Sequence, residues 1–203
     1  IAITDHAGHL HIAHALSPSD IKKQWQEIDK LNKDLKGIKI LKGIEVDLDD
    51  FGRPELPEEI LAKFDLVLGS IHSKLRMPKE EMTKRLVAAA KNPLVDILAH
   101  PTGRILGRRE EMAMDLEEIL KAAKESGTVL EINAYPERLD LNNQNIKKAK
   151  EAGVLLSIGT DAHSVPQLEY LELGVSEARR GWAEKKDIIN TMSYKKLREF
   201  LKK

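Results

Sequence analysis

The chain has 203 residues, a formal net charge of zero from 33 basic and 33 acidic residues, and no cysteine. A chain of this length can bury one substantial core, and we expect a single α/β domain. The balanced charge disfavours a protein that coats nucleic acid by bulk charge alone, and the absence of thiols excludes disulfides, cysteine nucleophiles and cysteine zinc sites. No apolar run approaches the roughly 18 residues of a membrane helix, and no signal-peptide pattern is present, so a cytoplasmic protein is expected.

Short apolar runs alternate along the chain with longer segments of helical periodicity. We predict buried strands at residues 1–4, 38–46, 66–71, 95–99, 128–133 and 154–160. Helices are predicted at residues 18–35, 79–91, 116–126 and 143–152, and the last segment, 173–203, is predicted to be helical without a further strand. Gly127 and Gly153 lie just past two of these helices, where a left-handed backbone needs no Cβ.

This strand and helix repetition predicts parallel strands, arranged either as a barrel or as an open doubly wound sheet. No glycine-rich phosphate loop follows a strand, which disfavours the nucleotide-binding open sheet. We therefore favour a barrel, although six strands are fewer than the about eight that closure usually takes. The opening "IAITDH" begins inside an apolar strand, so we expect that a preceding segment of the fold is missing from this chain.

Four of the seven histidines stand at or just after the carboxyl end of a predicted strand, together with carboxylates. The histidines are His6, His72, His100 and His163, and the carboxylates are Asp5, Glu45 and Asp161. The carboxyl ends of parallel barrel strands converge on one face. A single histidine there is more often packed or hydrogen-bonded than a ligand, but four at one level have no packing explanation. Nitrogen and oxygen ligands without sulfur suit Zn, Mn or Fe, so the pattern predicts a multinuclear hydrolytic site.

Four carboxylates in or near this predicted site have separate interpretations. Glu45 lies in an apolar run where a carboxylate needs a cation or donors nearby, and a salt bridge to Lys42 is the alternative interpretation. Asp47 and Asp49 share the parity of Glu45 along the strand, but we assign them to a polar loop. Asp5 is expected to orient a neighbouring imidazole.

Six motifs occur in a fixed order: "ITDH", "GIEVD", "SIHS", "AHPTGR", "EINA" and "GTDAH". Together they resemble the PHP domain, named for polymerase and histidinol phosphatase. The segments "NPLVDILAHPTGR", "LEINAYPERLDL" and "ARRGWAEKKDIINT" are more narrowly similar to the C-terminal PHP domain of bacterial and archaeal family-X DNA polymerases, over essentially the whole chain. The resemblance implies a distorted (β/α)7 TIM-like barrel, here without its first βα unit. Residues 1–203 would form one PHP phosphoesterase domain, an N-terminally truncated fragment of a longer polymerase.

The resemblance also implies an activity and a metal cluster. The activity would be a metal-dependent phosphoesterase acting on DNA ends in repair, as a 3′-5′ exonuclease, a 3′-phosphatase or an abasic-site enzyme. The cofactor would be Zn²⁺ or Mn²⁺, with Fe as a further possibility, in up to three ions across the full-length family and fewer here. Carried over to this sequence, the metal ligands would be His6, Glu45, His72, His100, Asp161 and His163. The catalytic set would be Glu45, Asp161, His163 and Arg104.

Within that ligand set, Glu45 would bridge two metals, and His72 and His100 would complete one of their sites. His6 and His163 would belong to a second site and Asp161 to a third. The family begins with a strand ending in an H-x-H pair that this chain lacks, so only the site of Glu45, His72 and His100 would keep all its protein ligands.

The histidines after "ITDH" and the basic residues near the mouth are expected to meet substrate. His9, His11 and His14 are predicted to line the mouth or contact substrate, with metal binding as the alternative. Arg104 is the favoured phosphate ligand, ahead of Arg138 and of the pair at 108 and 109. The expected partners are DNA ends, the N-terminal polymerase domains of the parent chain, and a second copy that pairs through exposed strand edges.

Two alternative functions stay open at this stage. The domain could be a catalytically incomplete scaffold that braces the polymerase and binds DNA. It could also be a small-molecule phosphatase of the histidinol-phosphatase type, or an amidohydrolase with a similar barrel. The segments "TGRILGRRE" and "ARRGWAEKKD" favour the polymerase lineage over the small-molecule phosphatase and the amidohydrolase.

Overall fold

The computed structural model describes residues 1–7 and 15–201, and a parallel sheet forms its centre. The strands are β1 (Ala2–Ile3), β2 (His6–Ala7), β3 (Leu41–Asp47), β4 (Leu66–Ser70), β5 (Ile97–Leu98), β6 (Val129–Asn133) and β7 (Leu156–Gly159). Their order is β1-β3-β4-β5-β6-β7, and β2 also pairs with β3. Because β1 and β2 pair with successive parts of β3, they form one interrupted edge strand.

Helices connect these parallel strands. They are α1 (Pro18–Asp34), α2 (Glu58–Leu61), α3 (Lys79–Ala90), α4 (Leu116–Ser126), α5 (Asn143–Ala152), α6 (Leu171–Arg180) and α7 (Tyr194–Leu201). A capping box of Ser17 and Asp20 begins α1. As predicted, Gly127 and Gly153 end α4 and α5 in the left-handed conformation, with φ of 77° and 75°.

All six predicted strands are confirmed, with shifted boundaries. The first, predicted at residues 1–4, is β1, and the short strand β2 that follows it was not predicted. The second begins at Leu41 rather than Ile38. The side chain of Asn32 explains the later start, because its amide bonds both the N–H and the C=O of Ile40 and so replaces the ladder there. Residues 173–201 contain helical segments and no strand, as predicted.

The central strands β3 to β6 are largely buried on both faces, which is why their sequences are almost continuously apolar. All five residues of β6 are buried. One apolar cluster joins the sheet to α3, α4 and α5 through Met82, Leu86, Leu120 and Ile146. Each such side chain contributes about 1.5–3 kcal/mol of burial free energy. This packing fixes the strands and therefore the level at which they end.

The architecture is an α/β fold with a mostly parallel sheet curled into a half-barrel, consistent with the distorted TIM-like barrel expected from the sequence. None of the helices in residues 1–7 and 15–201 combines the length and the apolar character that a membrane crossing requires. The carboxyl ends of the strands share one edge of the sheet, and the candidate site lies there.

Candidate metal centre

Glu45 in β3 is the centre of the predicted histidine cluster. The Oε1 atom of Glu45 lies 3.2 Å from Nε2 of His100, 3.5 Å from Nε2 of His72 and 3.9 Å from Nδ1 of His6. These imidazoles come from the ends of three different strands, β5, β4 and β2. The expected convergence of strand ends is therefore present, with a buried carboxylate among three histidines.

The electrostatics of this cluster favour an ionised Glu45. Burial alone would raise the pKa of Glu45, but the hydrogen bond to His100 and the charges of the three histidines outweigh it and lower the pKa to about 2. Burial would lower the pKa of His100, yet its hydrogen bond and attraction to Glu45 leave that pKa raised. The carboxylate thus stays negative at neutral pH and within reach of imidazole nitrogens.

The donor set fits a divalent metal ion. One ligand atom each from His6, Glu45 and His72 lies within 4.8 Å of the others, close enough to surround a single cation. Imidazole nitrogen and carboxylate oxygen are ligands that Zn, Mn and Fe accept. The rings of His72 and His100 are 5.1 Å apart between centroids, so His100 adjoins the same group.

Asp47 orients the imidazole of His72, a role that the sequence assigned to Asp5. Oδ1 of Asp47 lies 2.6 Å from Nδ1 of His72, which leaves Nε2 of that ring directed at Glu45. Asp47 is the last residue of β3, so its assignment to a loop was wrong. Asp5 instead accepts a hydrogen bond from Gln24 of α1. The shared parity of Glu45 and Asp47 was the signal that could have identified this pair.

Asp161 and His163, after β7, lie beside the cluster. Nδ1 of His163 is 3.8 Å from Oδ1 of Asp161, and the ring of His163 lies 6.1 Å from that of His6. The backbones of Asp161 and His100 have φ of 52° and 28°, a region that non-glycine residues rarely occupy. Such conformations concentrate at functional sites, since the surrounding fold must hold them.

Glu131 of β6 is a buried carboxylate that the sequence reasoning missed. Its Oε2 accepts hydrogen bonds from the backbone N–H of His100 at 2.8 Å and from Nδ2 of Asn133 at 3.3 Å. Burial, helped by the charges of Glu45 and Asp161, raises the pKa of Glu131 to about 7 against the opposing charge of His100. Gly159 makes room for this side chain, because a Cβ there would lie 2.1 Å from Oε1 of Glu131. A glutamate inside the apolar "TVLEIN" was the available signal.

The arginines divide into one that faces the site and others that support loops. Arg104 donates from Nε to the carbonyl of Arg138 at 2.9 Å and from Nη2 to the carbonyl of Leu139. Nε of Arg138 lies 3.3 Å from Oδ2 of Asp161, and its buried Nη1 has no hydrogen-bond partner among the described residues. The geometry thus makes Arg138 a stronger candidate for a substrate anion than Arg104. The pairing of Arg108 with Glu137 at 3.4 Å is exposed.

His9, His11 and His14 lie outside the described residues, so their predicted position at the mouth stays a prediction.

A parallel α/β half-barrel that collects histidines and carboxylates at the ends of its strands is typical of barrel proteins that bind metal ions at that edge. Residues 1–135 match the family model described as the PHP domain, and the chain belongs to the PHP family. The expected resemblance is confirmed, and PHP domains are metal-dependent.

Two kinds of curated relative align with the chain. It is 42% identical over 203 residues to the DNA polymerase/3′-5′ exonuclease PolX of Bacillus subtilis (strain 168). The alignment covers 100% of this chain and 36% of that protein. It is 35% identical over 182 residues to a probable phosphatase of Thermoanaerobacter sp. (strain X514). That alignment covers 85% of this chain and 71% of the phosphatase. A probable phosphatase of Acetivibrio thermocellus is 32% identical over 171 residues, an alignment that covers 80% of this chain and 66% of that protein. The chain thus spans about a third of the length of PolX.

Proposed function

We propose that residues 1–203 form a metal-dependent phosphoesterase domain that acts on DNA ends in repair. The observation that carries the proposal is the buried, ionised Glu45 among three imidazoles, with Arg138 and Asp161 next to it. Family membership supports the hydrolysis of phosphate esters. The polymerase and exonuclease relative, which aligns with the whole of this chain, supports DNA as the substrate.

In this proposal six side chains bind metal: His6, Glu45, His72, His100, Asp161 and His163. A bound Zn²⁺, Mn²⁺ or Fe ion supplies a Lewis acid for a phosphoryl oxygen and lowers the pKa of a coordinated water. Asp47 holds the ring of His72, and Glu131 holds the backbone of His100. These contacts fix the ligands before a metal binds, which lowers the cost of organising them.

Arg138 would bind the phosphate of the substrate. Its Nε already lies beside Asp161, and its Nη1 is left without a partner among the described residues, although burying such a donor is costly. A phosphate oxygen at this position would accept from the guanidinium and satisfy it. Arg104 positions Arg138 through its two bonds to the carbonyls of residues 138 and 139. The predicted direct role of Arg104 as a catalytic residue stays a prediction.

A small-molecule phosphatase is the second candidate function. The relatives named probable phosphatases favour it, because the chain covers 71% of the length of the one from Thermoanaerobacter against 36% of PolX. The catalytically incomplete scaffold is the third candidate, and the ionised cluster around Glu45 disfavours it. As partners we propose DNA ends, polymerase domains of a parent chain, and a second copy that pairs along a sheet edge.

The test compares phosphate release from an oligonucleotide with a 3′-phosphate and from histidinol phosphate, with Mn²⁺ or Zn²⁺ added. We expect faster hydrolysis of the oligonucleotide, and loss of activity on replacing Glu45 by Gln. Hydrolysis of histidinol phosphate alone would favour the small-molecule phosphatase. No hydrolysis of either substrate by the metal-loaded protein would favour the scaffold.

A further inference from the structure

We infer that the ring of Phe51 is a stacking platform for a nucleobase of a single-stranded DNA end that is bound at the metal centre. The inference rests on the proposed function and names the part of a DNA substrate that this surface would bind. It is carried by the position of the residue, by the rigidity of its loop and by the exposure of its ring.

Phe51 lies on a short turn that leaves the carboxyl end of β3 directly after Asp47. The two sides of the turn are joined by an antiparallel bridge between Leu48 and Pro54, and by a hydrogen bond from the N–H of Glu55 to the carbonyl of Asp47 at 2.8 Å. Phe51 is four residues beyond Asp47, so their Cα atoms are at most about 14 Å apart. Because Asp47 contacts His72, the phenyl ring stands within a few nucleotides of the metal centre.

A buried guanidinium fixes this turn. Arg85 of α3 is 1% exposed and donates to the carbonyls of Leu48 at 2.6 Å, Asp49 at 2.7 Å and Ser73 at 3.0 Å. It therefore ties the turn after β3 to the loop after β4. Burying a guanidinium is costly unless its donors are satisfied, so this arrangement specifies the loop conformation strongly.

The turn is also organised from within. The Asp49 carboxylate accepts the N–H groups of Phe51 and Arg53, each at 2.9 Å. Gly52 has a φ of 78° and packs so closely on α3 that a Cβ would lie 2.1 Å from the carbonyl oxygen of Arg85. A preformed loop loses little conformational entropy when a ligand binds to the side chain that it carries.

The ring of Phe51 takes no part in the core. The residue is 70% exposed, and the guanidinium carbon of Arg53 lies 5.1 Å from its centroid. Single exposed apolar residues are ordinary, but this one combines a fixed loop, a neighbouring cation and a position within a few nucleotides of the metal centre. An aromatic face with an adjacent arginine is the pairing that binds the bases of single strands.

The charges around the ring are largely paired. Arg53 pairs with Asp49 at 2.7 Å, and Lys74 of the loop after β4 pairs with Asp50. Stacking, rather than net positive charge, would therefore supply the affinity at this position. The dependence on salt that comes from phosphate contacts should accordingly be the same with and without the ring.

The test is fluorescence anisotropy of a short, labelled oligothymidylate with phosphorothioate linkages, titrated with the whole chain. We expect Phe51→Ala to raise the dissociation constant by about fivefold or more, the effect of losing one stacked base. Phe51→Trp should retain the wild-type affinity, because any aromatic face can stack. Hydrolysis of p-nitrophenyl phosphate, which has no base, should be the same in all these proteins.

Trp182→Ala is the matched control. Trp182 is also 70% exposed, but it follows α6 and lies against α5, where Nζ of Lys147 is 5.8 Å from its ring. Unchanged binding by Phe51→Ala, an equal loss in Trp182→Ala, or no saturable binding by the wild type would overturn the inference. Anisotropy needs no turnover, so weaker binding by Phe51→Ala without any hydrolysis would uphold the platform while refuting the proposed phosphoesterase.

Discussion

Glu45 illustrates at the residue scale how a fold can stabilise a charge that burial alone opposes. The neighbours of Glu45 in β3, Ile44 and Val46, are fully buried in the apolar core, and the alternation of the strand directs Glu45 to the other face. There it meets three imidazoles at the ends of adjacent strands. The position of a side chain in the strand, rather than its local composition, decides that it belongs to the site.

Replacing Arg138 by Ala should lower kcat/KM for a 3′-phosphorylated oligonucleotide by about 10- to 100-fold, the effect of losing charge-assisted hydrogen bonds to a phosphate. Arg138→Lys should be intermediate, since it keeps the charge beside Asp161 but not the planar fork. Steady-state kinetics check this. Arg108→Ala is the control, because that arginine is exposed and paired with Glu137. Equal activities of Arg138→Ala and Arg108→Ala would refute phosphate binding by Arg138.

Asp140→Asn should gain stability relative to the wild type as pH rises. Burial raises the pKa of Asp140 above its ordinary 3.8, against the charge of His100 and the hydrogen bond from Thr102. The folded protein therefore holds this proton more tightly than the unfolded chain. As the pH rises from 3.8 through the folded pKa, ionisation of Asp140 lowers the free energy of unfolding. Asparagine cannot ionise, and its amide oxygen can still accept the N–H groups of Thr102 and Gly103.

Melting temperatures measured across pH check this prediction, with Asp20→Asn as the control. Hydrogen bonds from Ser17 and Lys23 lower the pKa of Asp20, so the folded state favours its ionised form. The stability of the wild type relative to that of Asp20→Asn should therefore increase as the pH rises, which is the opposite trend. A difference between Asp140→Asn and the wild type that stays constant or falls with rising pH would contradict the expected burial effect.

At the scale of elements, the sequence predicted the regular segments well because periodicity and caps are local. It misplaced boundaries where a side chain replaces a backbone partner, as Asn32 does at Ile40. The histidines could be grouped from the sequence, since parallel strands must end on one edge. The parity that Asp47 shares with Glu45 also pointed to its role, but only the observed end of β3 decides it. The role of Arg138 could not be predicted, because it depends on how the loop after β6 folds back, as at the bridge between Asn133 and Asp140.

Arg85→Met tests the link between α3 and the loops of the site. Methionine fills the same space but leaves the carbonyls of Leu48, Asp49 and Ser73 without these donors. We expect the free energy of unfolding to fall by about 2 kcal/mol or more, as measured by urea denaturation. Lys84→Met should change it by less than about 0.5 kcal/mol, because Lys84 is exposed and pairs only with Glu80. An equal effect of the two substitutions would show that the buried guanidinium is not what holds these loops.

At the scale of the whole molecule, the parallel half-barrel places every proposed metal ligand at the carboxyl edge of the sheet. The apolar clusters fix the strands, and at this edge β3 ends with Asp47 while the loop after β6 places Arg138 beside Asp161. Membership of the PHP family and the group formed by His6, Glu45 and His72 support the proposed metal-dependent phosphate chemistry. The residues around the metal ligands would decide between DNA ends and small phosphate esters as substrates, because the same metal ligands suit the hydrolysis of both.

The most direct test is the number of divalent ions bound per chain. Elemental analysis would be made on the wild type, Glu45→Gln and Glu169→Gln after equilibration with Zn²⁺ or Mn²⁺ and removal of free metal. Glu169 is an exposed carboxylate outside the cluster and serves as the control. We predict at least one bound ion per chain in the wild type and in Glu169→Gln. Glu45→Gln should bind markedly less metal, because the central carboxylate is gone. A wild type without bound metal, or a Glu45→Gln variant that binds as much as the wild type, would contradict this prediction.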